Sequence, residues 1–95
     1  FFNLKKIKLY NFVNTIMTEQ QIQSKKIKEL EDKGYYVLKL IQTNKNGIPD
    51  LLALSPKAKV LFCEVKKPNG KLSELQKYRL EELENYGFKT EVHTG

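Results

Sequence analysis

The sequence has one cysteine, one histidine and no tryptophan among its 95 residues. A single cysteine forms no internal disulfide, and with one histidine it leaves no complete Cys/His zinc site within one chain. A Ser–His–Asp or Cys–His site would depend on His93 alone, which lies near the end of the sequence. No apolar run approaches the roughly 18 residues that indicate a membrane-spanning helix, so we expect no membrane partner.

The length predicts one small domain with a thin core. A chain of this size buries only about 60–65% of its unfolded surface, so each buried polar group must find a partner. The net charge is +6, from 17 Lys and Arg against 11 Asp and Glu. This surplus favours an anionic partner, most simply nucleic acid.

The first 16 residues differ in composition from the rest of the sequence. They are apolar, basic and rich in Asn, and they lack the small-residue cleavage site of a secretory signal. We therefore interpret residues 1–16 as an N-terminal extension or arm, and residues 17–95 as the domain. Met17 is a candidate natural start, and we expect a cytoplasmic protein.

Two helix starts and four extended segments organise the domain. Thr18 with Gln21, and Ser73 with Gln76, fit the capping box that opens a helix. Aromatic and β-branched runs between turn residues indicate strands. The pattern predicts an α/β fold, a small mixed sheet of about four strands flanked by helices in the order α-β-β-β-α-β. The expected helices span 19–33 and 74–87, and the expected strands span 35–41, 50–54, 60–66 and 88–93.

The basic charge is concentrated in the middle of the chain. Between residues 39 and 71 only two acids occur, Asp50 and Glu64. Seven lysines share this stretch: Lys39, Lys45, Lys57, Lys59, Lys66, Lys67 and Lys71. A solvated basic face explains the lysines alone, but two isolated carboxylates within them need a further explanation.

The register of the central hairpin predicts a site. If the second and third strands fold back about Lys57, Asp50 lies opposite Glu64, and Lys66 shares their face. Two close carboxylates repel each other unless a cation lies between them, and Mg²⁺ is usually held by one or two carboxylates. The alternative is a surface salt bridge of Lys66 with either acid. A register slip of one residue would abolish the site.

Two further polar residues are candidates for the same site. Glu19 falls on the inward stripe of the first helix with Ile22, Ile27 and Leu30. It is alternatively an exposed first-turn acid favoured by the helix dipole. Gln76 should face the sheet on the second helix, but its alternative role is the capping box itself.

The combination of these motifs is specific. Gly47-Ile48-Pro49-Asp50 followed by Glu64-Val65-Lys66 resembles the Pro-Asp … Glu-x-Lys signature of the PD-(D/E)xK nuclease superfamily. The continuation from Lys67 through Pro68-Asn69-Gly70 to Ser73 and Gln76 closely resembles the virus-type replication–repair nuclease (VRR-NUC) family. The resemblance covers about residues 17–93.

The resemblance implies a restriction-endonuclease-like fold and Mg²⁺- or Mn²⁺-dependent hydrolysis of DNA. Asp50 and Glu64 would be metal ligands together with the backbone carbonyl of Val65. Lys66 would position the water or stabilise the transition state. Glu19 would help to hold the metal or its water, and Gln76 would complete the site near the phosphate.

Family members that stand alone resemble small viral or phage enzymes that act as homodimeric Holliday-junction resolvases in DNA repair. The resemblance therefore implies branched DNA as the substrate, a second copy as the partner and, for a viral protein, the host-cell cytoplasm. Two rivals stay open: a DNA-binding module that does not cut, and a nuclease for flap or single-stranded DNA.

The remaining candidates divide into core and surface residues. Cys63 points away from Glu64, and we expect a buried, unreactive thiol. We expect no catalytic role for His93. Lys67 and Lys71, with Lys45, are candidate contacts to the DNA backbone, although each is equally explained as a solvated lysine.

Overall fold

The computed structural model describes residues 17–95, so the extension assigned to residues 1–16 lies outside the described residues. The predicted element order is confirmed. The elements are helix α1 (Glu19–Asp32), strands β1 (Tyr36–Lys39), β2 (Leu51–Leu54) and β3 (Val60–Lys66), helix α2 (Glu74–Asn85) and strand β4 (Lys89–Thr94).

Both helices begin at the predicted capping boxes. Thr18 Oγ1 accepts from the backbone N–H of Gln21 at 3.1 Å, and Gln21 Oε1 accepts from the N–H of Thr18 at 2.8 Å. Ser73 and Gln76 make the equivalent pair at the start of α2. Such pairs satisfy N–H groups that have no partner inside the helix.

The strands form one four-stranded sheet in the order β1-β2-β3-β4. β1 and β2 pair antiparallel, as do β2 and β3, whereas β3 and β4 pair parallel. A parallel pair needs a crossover, which α2 supplies between β3 and β4. The predicted mixed α/β fold is therefore confirmed. β1 is shorter than expected, because its ladder with β2 runs only from Tyr36 to Lys39.

The core lies between α1 and one face of the sheet. Its fully buried strand residues alternate with residues of the opposite face, as the two-residue period requires. The buried apolar cluster consists of Ile22 and Leu30 from α1 with Leu51, Ala53, Cys63 and Val65 from the strands.

The inward face of α1 is wider than the predicted stripe. Ile27 packs against the core as predicted, but Gln23 and Lys26 are buried as well. Lys26 is 5% exposed, and its ammonium group lies 2.9 Å from the carboxylate of Glu91 on β4. Because β4 supplies this partner, a long polar side chain can pack between α1 and the sheet.

Candidate functional site

The register of β2 and β3 brings the two predicted acids together. Leu51 pairs with Cys63, so the hairpin folds about Lys57 as predicted. Asp50 directly precedes this pair and Glu64 directly follows it, which makes them the next opposed pair. Asp50 Oδ2 accepts from the backbone N–H of Val65 at 2.8 Å, and the Asp50 carbonyl accepts from the N–H of Leu40 at 2.8 Å. Asp50 is thus fixed through both its side chain and its backbone.

The carboxyl group of Glu64 is buried without full hydrogen bonding. The residue is 1% exposed, and its Oε1 has no hydrogen-bond partner. Burial, with the adjacent Asp50 carboxylate as the second cause, raises the pKa of Glu64 to about 8. Without a cation, Glu64 therefore holds its proton at neutral pH. An orphaned carboxylate oxygen beside a second carboxylate is the arrangement that a hard divalent cation satisfies.

Lys66 and Glu19 act electrostatically on Glu64. The positive charge of Lys66 opposes the rise in the pKa of Glu64, whereas the negative charge of Glu19 adds to it. Both side chains are half-buried, and Glu19 is the first residue of α1. The structure therefore places all four predicted charged residues within one electrostatic environment.

The acids do not form a complete metal cage. Within residues 17–95, no group of three or more His, Cys, Asp or Glu side chains is arranged to hold a metal ion. The donor set that fits an ion is the pair Asp50 and Glu64, and other ligands would come from backbone, water or phosphate oxygens. Mg²⁺ tolerates this because it usually keeps several waters beside one or two carboxylates.

Gln76 is part of the capping box at the start of α2, which was the alternative to a role in the site. Its Oε1 accepts from the backbone N–H of Ser73 at 2.9 Å. The side chain is half-buried, as its inward position on the helix predicts. Because this oxygen is engaged in the capping box, only the amide nitrogen of Gln76 offers a group to the site.

The candidate DNA-contacting lysines lie on two segments, the loop before Asp50 and the turn after β3. Lys45 is exposed and lines the same cleft as Asp50. Lys67 and Lys71 flank the turn after β3, where the N–H of Gly70 donates to the carbonyl of Lys67 at 2.8 Å. Lys71 is exposed and Lys67 is half-buried, so these lysines differ in how much of their charge they present to solvent.

Sequence reasoning missed the residues that hold the loop before Asp50. Arg79 on α2 donates from Nε to the carbonyl of Asn46 at 2.9 Å. Gly47 has a φ of +78°, and a Cβ there would lie 2.7 Å from Leu75 Cγ, so only glycine lets the loop approach α2 this closely. The glycine was part of the recognised motif, but no local pattern identifies Arg79, because its partner is 33 residues away.

Cys63 and His93, for which we expected no catalytic role, lie in the core and at the contact between α1 and β4, respectively. Cys63 is buried in the core, and burial raises the pKa of its thiol to about 12, which agrees with an unreactive cysteine. Burial and the charge of Lys26 lower the pKa of His93. His93 belongs to the polar contact between α1 and β4, with Nδ1 3.8 Å from Glu91.

Comparison with known proteins places this fold among nuclease-type domains. A solved structure described as a VRR_NUC domain matches with a TM-score of 0.72 and 31% sequence identity, over 81% of this chain and 83% of that one. The VRR-NUC domain family model matches residues 5–95. The chain therefore belongs to the VRR-NUC domain family, as the motifs indicated. No curated protein sequence matches it.

The family match and the helices bear on two further predictions. The match begins at residue 5, inside the segment that we set apart as an arm, so the division at residue 17 stays a prediction. None of the helices formed by residues 17–95 has the length and apolar character needed to cross a membrane.

Proposed function

We propose that this domain is a metal-dependent nuclease that hydrolyses phosphodiester bonds in branched or otherwise structured DNA. The observation that carries the proposal is the buried, partnerless Oε1 of Glu64 beside the fixed carboxylate of Asp50. A purely structural Glu64 would be replaceable by an apolar residue with a gain in stability, because a buried carboxyl oxygen without a partner is costly. Membership of a nuclease family supports the same interpretation.

The residues divide the work of hydrolysis between them. Asp50 and Glu64 would hold Mg²⁺ or Mn²⁺, with the Val65 carbonyl as a further ligand and Glu19 holding the ion or its water. When bound, such an ion supplies Lewis-acid polarisation of the phosphate and lowers the pKa of water.

Lys66 would orient the attacking water and stabilise the negative charge that develops on the phosphate. Two observations support this role: Lys66 lies two residues beyond Glu64 on β3 and so shares its face, and its positive charge opposes the rise in the pKa of Glu64. Gln76 would steady the phosphate through its amide nitrogen. Lys45, Lys67 and Lys71 would bind neighbouring backbone phosphates without reading sequence.

A cleavage assay tests the proposal. Wild type and Asp50→Ala are incubated with four-way junction, flap, single-stranded and linear duplex DNA at one salt concentration, with Mg²⁺, Mn²⁺ or EDTA, since a basic protein binds all DNA at low salt. We expect wild type to cut junction DNA fastest, only with metal, and the variant to be inactive. Equal cleavage by both proteins would show that the assigned site is wrong. Binding without cleavage by wild type would favour a DNA-binding module that does not cut. Faster cleavage of flap or single-stranded DNA than of junction DNA would show that the preferred substrate is not the junction.

A junction-cutting enzyme would work as a homodimer in the compartment that contains its DNA, which we propose is the cytoplasm, or the host-cell cytoplasm for a viral protein. One site cuts one strand, so a two-fold pair presents two sites to a symmetric junction. Light scattering after size-exclusion chromatography tests this state. A monomer that resolves junctions with paired, symmetric cuts would contradict it.

A further inference from the structure

An exposed isoleucine lines the same cleft as Asp50. Ile41 is 84% exposed, the largest value among the large hydrophobic side chains of the described residues. It directly follows Leu40, whose N–H donates to the Asp50 carbonyl at 2.8 Å. This bond extends the β1–β2 pairing by one step and fixes the position of Ile41 relative to Asp50.

The loop that follows Ile41 is firmly held. Thr43 Oγ1 donates to the carbonyl of Lys45 at 2.7 Å and accepts from its N–H at 3.3 Å. Farther along, Arg79 anchors the carbonyl of Asn46, and Gly47 packs against Leu75. Ile41 is therefore exposed next to a loop that hydrogen bonds hold in place. Burying its apolar side chain against a ligand would be favourable, because apolar surface would be removed from water.

Between this loop and Asp50 lies a cleft of about 310 Å³. Its lining includes three kinds of group: a cationic side chain in Lys45, side-chain amides in Gln42 and Asn46, and an apolar side chain in Ile41. These groups match the three parts of a nucleotide, because ammonium groups bind phosphate, amides bind base edges and apolar side chains pack on base faces.

We propose that this cleft receives the nucleotide next to the scissile phosphate and that Ile41 packs against the face of its base. The inference rests on the proposed nuclease function and names the feature of DNA that the site prefers. In an intact duplex both faces of each base are covered by stacking, so Ile41 has no free base face to pack against. At a branch point, flap or single strand a face is already free, and the cost of unstacking a base is avoided. Ile41 thereby becomes a specificity-determining residue.

The test compares Ile41→Ala with wild type and with Tyr36→Ala. Tyr36 is a matched control because it is 68% exposed and lies at the opposite end of β1. The value of kcat/KM is measured on junction, single-stranded and linear duplex DNA. We expect Ile41→Ala to lose about tenfold on junction and single-stranded DNA, as for loss of one base contact, and to change little on linear duplex. Tyr36→Ala should match wild type on all three.

A second measurement does not require cleavage. Junction DNA carrying 2-aminopurine at the branch point, and single-stranded DNA carrying it in the middle of the strand, are titrated with each protein in EDTA, and the fluorescence change is recorded. We expect Ile41→Ala to give a smaller change than wild type at saturation, and Tyr36→Ala to give the same change.

The two measurements separate the possible failures. If wild type cuts DNA but Ile41→Ala behaves as wild type in both assays, the subsite is refuted and the nuclease function stands. If wild type cuts nothing, the nuclease function fails, and the fluorescence difference alone decides whether Ile41 contacts a base. An equal loss on linear duplex would also refute the preference for free base faces.

Discussion

Replacing Glu64 by glutamine should stabilise the metal-free protein while it removes activity. The unfolded chain has an ordinary glutamate with a pKa of 4.5, whereas burial and Asp50 raise the pKa of Glu64 to about 8 in the folded state. Between these values the folded protein holds a proton that the unfolded chain has released. The free energy of unfolding therefore falls as pH rises, by about 1.4 kcal/mol for each pH unit in that window.

The size of the effect follows from the same two values. At pH 7 the buried carboxyl of Glu64 costs about 3 kcal/mol relative to pH 4, and the cost levels off above the folded-state pKa of about 8. Glutamine has nearly the same shape but no titrating proton, so Glu64→Gln removes this dependence. We expect little difference between the two proteins at pH 4 and a variant about 3 kcal/mol more stable at pH 7.

Urea denaturation followed by circular dichroism in EDTA, from pH 4 to pH 9, measures the difference. Glu31→Gln serves as a matched control on the exposed face of α1 and should differ from wild type by only a few tenths of a kcal/mol. If the wild-type and Glu64→Gln curves run parallel across this range, the buried carboxyl has no raised pKa and the argument is refuted.

Metal addition completes the experiment. A cation that binds only the folded state raises its stability according to its concentration and affinity. We expect Mn²⁺ to raise the melting temperature of wild type at pH 8 and to leave that of Glu64→Gln nearly unchanged. DNA binding in EDTA should be equal for the two proteins at pH 7, where Glu64 is protonated, and tighter for the variant at pH 9, where a negative charge near phosphate is removed. A large loss of DNA binding would contradict the proposed role of Glu64.

Three further predictions concern single side chains. Lys66→Ala should lower kcat by about two to four orders of magnitude with little change in DNA affinity, measured by single-turnover cleavage. A variant with wild-type activity would show that another group orients the water and stabilises the phosphate charge. Arg79→Ala should lower kcat about tenfold with KM nearly constant, because the loop before Asp50 loses its hydrogen bond at the Asn46 carbonyl. Unchanged kinetics would show that this hydrogen bond does not position the loop for catalysis. Lys26→Ala should lower the free energy of unfolding by about 2 kcal/mol in urea denaturation, because the ion pair with Glu91 and the packing of the buried Lys26 side chain are both lost. Equal stability would mean that Lys26 is dispensable.

The parts of the fold that local sequence patterns determine were predictable. Capping boxes located both helix starts, and the turn around Lys57 set the register that opposes Asp50 and Glu64. A register depends only on the residues of one hairpin, so a short segment contains all the information needed.

Contacts between distant segments were not predictable in this way. Lys26 was missed because helical periodicity selects apolar residues, and its acidic partner on β4 is far along the chain. Arg79 was missed for the same reason. For Gln76 the sequence offered two roles, and the structure shows its oxygen in the capping box while its role toward phosphate stays a prediction.

The alternation along β3 has a consequence for tolerance to mutation. Cys63 and Val65 face the core, whereas Glu64 and Lys66 between and beyond them face the proposed site. Saturation mutagenesis of this strand, scored separately for protein abundance and for DNA cutting, should give two profiles offset by one residue. One short stretch of chain would then carry two interleaved selective constraints, one on folding and one on chemistry.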